Sequence, residues 1–154
     1  MKKLHALVLG ATGATGRELV KLLSEDPKFS KVSIFARSSP KIFNKNLAIH
    51  EIDFHQLHKY KDLVNGDILF SALGTTKKDA GGKDQQYEID YTYQYKFAKI
   101  AAENGVGQLS LVSTVGANAK SSFFYPKIKG TLEESVRSFN FKKIQIFQPP
   151  SLIR

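Results

Sequence analysis

Short runs of consecutive apolar residues alternate along this chain with stretches in which apolar positions recur every three or four residues. The runs at 4–9, 32–35, 47–52, 68–73, 109–112 and 144–147 read as six strands. Most are continuous rather than alternating, as a parallel sheet covered on both faces requires. Between them, Leu19, Leu22 and Leu23 mark a first helix that ends near Pro27. Tyr91, Tyr95, Ala98 and Ala102 mark a long helix closed by Asn104-Gly105, a C-cap signature. Ile128, Leu132 and Val136 mark another. Strand–helix alternation with right-handed crossovers predicts an α/β fold: a doubly wound parallel sheet of about six strands with helices on both faces. The expected strand order is 3-2-1-4-5-6, with a ligand crevice at the carboxyl ends of strands 1 and 4.

Composition narrows the classes. At 154 residues the chain is expected to be one domain, and without cysteine it forms no disulfide or thiolate metal site. The net charge of +9 raises nucleic acid or a membrane surface as partners. The basic pairs Lys2-Lys3, Lys77-Lys78 and Lys142-Lys143 are scattered, however, and lysines far outnumber arginines. A solvated lysine-rich surface is therefore expected, with no nucleic-acid or membrane partner. Lys2 and Lys3 precede an apolar run that is short, contains His5 and leads into a glycine motif, unlike a signal peptide. The chain is expected to be soluble and cytoplasmic. His5, His50, His55 and His58 show no metal-ligand pattern, and no metal is expected.

The string Gly10-Ala11-Thr12-Gly13-Ala14-Thr15-Gly16 falls where the first strand becomes the first helix. Such glycine spacing means little alone, but at that junction it carries a mechanism. Gly10 permits the tight turn, Gly13 lets the backbone approach a pyrophosphate, and Gly16 lets the helix pack close to the sheet. Thr12, Ala14 and Thr15 complete the loop, and the helix N-terminus presents unpaired N–H groups to phosphates. After the second strand, Phe35-Ala36-Arg37-Ser38 places a cation where an NAD site usually carries an acid for the ribose 2′-hydroxyl. Arg37 suits a 2′-phosphate, Ser38 adds a hydrogen bond, and Arg17 is a second nearby cation, so NADP(H) is the expected cofactor. A charge-assisted hydrogen bond contributes about 1.5–3 kcal/mol, which predicts roughly ten- to hundredfold preference for NADPH over NADH. Asp53, after the third strand, either faces the adenine amine or caps the following helix. Ala72, Leu73, Gly74 and Thr75 follow the fourth strand, where small residues allow a cofactor to pass closely.

Tyr125 and Lys129 are four residues apart and share one helix face. A neighbouring ammonium favours the phenolate, which equips a tyrosine for general acid–base work. Ser113, at the end of the fifth strand, can hydrogen-bond a substrate carbonyl. Tyr95 and Lys99 repeat the spacing, but Tyr95 lies in the helix before the fifth strand, on its apolar stripe with Tyr91 and Ala98, a position for core or interface packing. The order of elements selects Tyr125.

The glycine loop, Arg37, Ser113, Tyr125 and Lys129 together resemble the short-chain dehydrogenase/reductase superfamily, which is built on a Rossmann fold. Leu73-Gly74-Thr75-Thr76, Asp90-Tyr91, Ser113-Thr114-Val115-Gly116-Ala117 and Tyr125-Pro126-Lys127-Ile128-Lys129-Gly130 resemble, more narrowly, its atypical branch of Tat-interacting oxidoreductase-like proteins. These are often labelled NAD(P)-binding or epimerase-like. The resemblance implies a Ser–Tyr–Lys triad of Ser113, Tyr125 and Lys129, with Lys129 also holding the nicotinamide ribose. Gln148-Pro149-Pro150-Ser151-Leu152 is similar to the segment that closes over the nicotinamide, which brings Pro150 to the cofactor. Thr114 beside Ser113 leaves two hydroxyls for the inward position. Relatives continue into a small substrate-covering region, and the single domain 1–154 is expected to lack it.

The expected function is hydride transfer to or from a small carbonyl or alcohol. The alternative is a regulatory or redox-sensing module that binds NADP(H) without turnover. Sugar-nucleotide epimerisation is a weaker third, because it needs a large substrate lobe. Phe123-Phe124 and the tyrosine-rich helix at 87–95 are expected to pack internally or, where exposed, to form a homodimer interface.

Overall fold

Six strands pair in parallel, in the order β3-β2-β1-β4-β5-β6, in a computed structural model that describes residues 2–74 and 77–150. The strands are β1 (Leu4–Leu9), β2 (Phe29–Ala36), β3 (Leu47–Glu51), β4 (Ile68–Ser71), β5 (Gln108–Val112) and β6 (Lys143–Phe147). The order is the one expected, and the strand ends shift by up to three residues. The register sets Leu9 opposite Phe35 and Ser71, and Ser71 opposite Leu111. Gly10, Ala36, Ala72 and Val112 thus reach one edge of the sheet together.

Side chains on a strand alternate between faces, and here both faces find cover. Ala6 and Val8 of β1 join Val32 and Ile34 of β2 against Val20 and Leu23 of α1 (Ala14–Glu25). Leu7 and Leu9 face the opposite way, into a larger cluster with Leu69 and Leu109. That face is covered by Phe97, Ala98 and Ala101 of α4 (Gln94–Glu103) and by Leu132 and Val136 of α5 (Phe124–Arg137). Phe54 and Leu57, from a 3₁₀ segment over Phe54–Leu63, extend the same cluster. Two short helices, α2 (Lys77–Ala80) and α3 (Lys83–Tyr87), lead from β4 toward α4.

Two helical faces differ from expectation. In α1 the core-facing residues are Gly16, Val20 and Leu23, whereas Leu22 is 65% exposed. Leu22 and Leu23 are adjacent, about 100° apart around the helix, and the contact with β1 and β2 covers only Leu23. In the long helix, α3 and α4 are joined by a π-helical turn over Glu88–Tyr93. The buried stripe there is Gln86, Asp90, Tyr93, Gln94 and Phe97. Tyr91 and Tyr95 instead sit half-buried at the rim of the core, inside a stack running Tyr87–Tyr91–Tyr95–Phe139 with ring centroids 5.1–5.6 Å apart. The Tyr91 hydroxyl meets Ser135 Oγ at 2.9 Å and ties this rim to α5.

Adjacent leucines make the test of the α1 face. Leu23→Ala should cost about 2–5 kcal/mol of unfolding free energy in a urea titration. Leu22→Ala should change it by less than about 0.5 kcal/mol.

Candidate functional site

At the carboxyl edge of the sheet, the first strand and the fourth approach as closely as backbone allows. Gly10 adopts φ +87°, a left-handed conformation that favours glycine. A Cβ there would also strike the Ala72 carbonyl and come within 2.7 Å of Leu73 N. Gly16 is buried, and a Cβ on it would fall on the carbonyl oxygen of Gly10. Its expected role, close packing of helix on sheet, is therefore served through the turn itself. Gly13 differs. Its backbone is extended (φ −77°, ψ 171°), and a Cβ would meet only Gly10 O, at 3.6 Å. Gly13 faces open space at the start of α1, where an anion meets unpaired N–H groups.

Two cavities open on either side of this junction and share Leu73 and Gly74. One runs from Gly10 and Thr12 to Arg37, over an apolar wall of Phe54, Ile89 and Tyr93. Asp79 lines it as well. The other holds Gly13, Ala14 and Thr15 on one side and Ser113, Tyr125 and Lys129 on the other, with Ala72 between. Most of the residues expected at a cofactor site thus line one crevice across the switch point. Its shape suits an extended dinucleotide, with Arg37 at one end and the tyrosine at the other. When bound, a nicotinamide dinucleotide supplies or takes up a hydride.

The remaining expected residues are placed as follows. Asp53 lines a neighbouring cavity with Arg37, and its Oδ1 accepts from His55 N at 2.9 Å, so it caps the 3₁₀ segment. Ser38 is exposed beside Arg37, and Pro150 is exposed after β6; neither lines these cavities. Thr75 lies outside the described residues, as do Thr76, Ser151 and Leu152. Of the two candidate hydroxyls, Ser113 lines the crevice and is 7% exposed, whereas Thr114 Oγ1 donates to Val115 O at 3.3 Å. Tyr95 and Lys99 stay outside the crevice: Tyr95 packs on Phe139, and Lys99 lines a separate groove.

Three polar residues that the sequence reading gave no role hold this site together. Asp90, fully buried, places Oδ1 3.4 Å from Lys129 Nζ, itself 3% exposed. Glu133, one helical turn beyond Lys129, accepts from Ser113 Oγ at 2.6 Å. Gln94 Oε1 accepts from Ser71 Oγ at 2.7 Å, which anchors the end of β4. For Asp90 and Gln94 the signal was an acid or amide at every fourth position, 86, 90 and 94, with Ile89, Tyr91, Tyr93 and Tyr95 flanking the last two. Burial pushes the Lys129 ammonium below its ordinary range, while Asp90 first and Glu133 second hold it up. The Lys129 ammonium lies 5.9 Å from the centre of the Tyr125 ring.

A protein-family profile described as NAD(P)H-binding matches residues 10–140. Protein FMP52-1, mitochondrial, of Scheffersomyces stipitis is 36% identical over 155 residues, covering 97% of this chain and 68% of that one. Protein FMP52, mitochondrial, of Saccharomyces cerevisiae is 40% identical over 156 residues, covering 97% and 66%. Protein HTATIP2 of Rattus norvegicus is 33% identical, covering 99% and 64%. The chain thus spans about two-thirds of these relatives. Among solved structures, UDP-glucose 4-epimerase of Thermotoga maritima superposes with a TM-score of 0.74 at 17% identity, over 94% of this chain and 54% of that one. The enzyme WbmG of Bordetella bronchiseptica, in complex with NAD, gives 0.75 at 14% identity, over 95% and 53%. These structures share the fold, and the chain spans about half their length. The cytoplasmic expectation is corrected: the fungal relatives carry mitochondrial names. A short apolar start does not decide the compartment. No helix among the described residues is long and apolar enough to cross a membrane.

Removing the Asp90 charge should expose how the pair works. Lys129 gives up its proton more readily folded than unfolded, so its contribution to stability improves as pH rises toward the ordinary lysine value of 10.5. Asp90→Asn deepens that depression. It should cost about 3–5 kcal/mol at neutral pH, the usual loss on breaking a buried pair. The deficit should shrink in urea titrations carried toward about pH 10, as Lys129 becomes neutral in the folded state of both proteins.

Proposed function

This chain belongs to the NAD(P)H-binding family, in an atypical branch of the short-chain dehydrogenase/reductase superfamily, and on that premise we propose that it is an NADP(H)-dependent oxidoreductase acting on a small carbonyl or alcohol. The observation that carries the proposal is one crevice in which the glycine loop faces Ser113, Tyr125 and Lys129. Gly13, Ala14 and Thr15 receive the pyrophosphate at the start of α1. Arg37, at the far end of the cavity that Gly10 and Thr12 also line, pairs with the 2′-phosphate. Leu73 and Gly74 let the chain of the cofactor pass the switch point, and Asp53 borders the adenine end.

The proton that accompanies hydride transfer is handled at Tyr125 Oη. The ammonium form of Lys129, which Asp90 supports against burial, favours the phenolate and so eases release of that proton. Its ammonium also serves the ribose nearest the reacting carbon. Ser113 fixes the substrate oxygen next to Tyr125. Removal of one acid–base group from such a site costs about 10²–10⁴ in rate.

Two measurements test the proposal. NADPH oxidation against a panel of aldehydes and ketones should fall at least about a hundredfold in Tyr125→Phe, with NADPH affinity retained; unchanged turnover would contradict the role of Tyr125. Arg37→Ala should weaken NADPH binding roughly ten- to a hundredfold while leaving NADH nearly untouched. Equal losses for both cofactors would remove Arg37 from the 2′-phosphate.

A further inference from the structure

Ser113 has its polar groups committed before any substrate arrives. Its N–H donates to Phe147 O at 2.7 Å, and its hydroxyl donates to Glu133 Oε2 at 2.6 Å. Glu133 is 5% exposed and only accepts. Besides Ser113 it takes the side-chain amide of Gln148, whose Nε2 is 3.0 Å from each carboxylate oxygen. Arg137 Nη2 lies 3.8 Å from Oε1. A carboxylate is an acceptor, and here it takes the serine hydroxyl and the Gln148 amide with the Arg137 cation alongside. Hydroxyl-to-carboxylate bonds of about 2.5–2.7 Å are roughly twice as strong as neutral ones.

A serine hydroxyl has one proton and two acceptor sites. With the proton drawn to Glu133, Ser113 offers lone pairs to the crevice it lines. It accepts from an O–H and has nothing to donate to a carbonyl. Resting on the oxidoreductase reading of this site, we infer that Glu133 is a positioning residue that makes Ser113 a hydrogen-bond acceptor, so that the site recognises its substrate as an alcohol. This reverses the direction expected for Ser113 from its position alone. A carbonyl in the same place depends on Tyr125 for its hydrogen bond, whereas an alcohol has Ser113 as well.

Cyclohexanol and cyclohexanone, alike except for the group in question, test this by equilibrium binding to the cofactor-free chain, followed by amide chemical shifts around Ser113. The alcohol should bind about two- to tenfold tighter, the worth of one net hydrogen bond. In Ser113→Ala the ratio should fall to about one, and adding Glu133→Leu should change it no further. Glu133→Leu alone frees the serine proton and should level or invert the ratio. Glu133→Met keeps the side-chain length without an acceptor oxygen, serves if the leucine variant does not fold, and should lower the ratio too. A ketone bound as tightly as the alcohol by the unaltered chain, or a ratio unchanged in a folded Glu133 variant, overturns the inference. Tyr125-dependent turnover alongside such a result would leave the oxidoreductase reading standing. Failure of the chain to bind NADPH or NADH would instead remove that reading.

Discussion

The backbone of Gly10 lies against Ala72 and Leu73 with no room for a side chain between them. That contact is the constraint on which the rest depends. It joins the ends of β1 and β4, the two strands at which the sheet reverses its order. Strands β2 and β3 continue to one side and β5 and β6 to the other, so the loops that follow them part and leave a crevice. One wall of the crevice is the start of α1; the other carries the end of β5 and the first turns of α5. A bulkier residue at position 10 would force these loops apart and disturb both cavities at once.

Beneath the crevice lies an unusual amount of buried charge for so small a domain. Asp90, Lys129 and Glu133 are each 5% exposed or less. Desolvating such groups is costly, and a buried pair is weak evidence for stability, because apolar residues of equal volume often serve a fold as well. Their arrangement makes chemical sense instead. Asp90 supports a cation beside a tyrosine, and Glu133 draws the proton of a serine that faces the same space. The π-helical turn over Glu88–Tyr93 contributes by carrying Asp90 into the core. Such turns recur at functional sites.

The sheet was legible in the sequence because continuous apolar runs have few alternatives once glycine and helical spacing bound them. The junction of strand and helix gave the glycine spacing a meaning, and the order of elements separated Tyr125, which lines the crevice, from Tyr95, which does not. Helix faces were harder. Leu22 looked equivalent to Leu23, and only the packing of α1 on β1 and β2 separates them. The tyrosines at 91 and 95 suggested the core by their spacing, yet the π-helical turn rotates Tyr93 inward and leaves them at the rim. Asp90 and Glu133 escaped because a charge on a helix is ordinarily a surface residue, and its burial depends on partners far along the chain. The compartment was not readable from composition at all.

The central claim is that this crevice holds a pyrophosphate against Gly13, and Gly13→Ala tests it most directly. Its backbone conformation suits any residue, and an added methyl finds ordinary contact distance in the protein itself. The variant should therefore fold with unchanged stability. The methyl should occupy the space the phosphates need, so calorimetric titration of NADPH should show binding to the unaltered chain and at least about tenfold weaker binding to the variant, a difference of about 1.4 kcal/mol. Equal affinity in the two proteins, or no binding to either, would contradict the account.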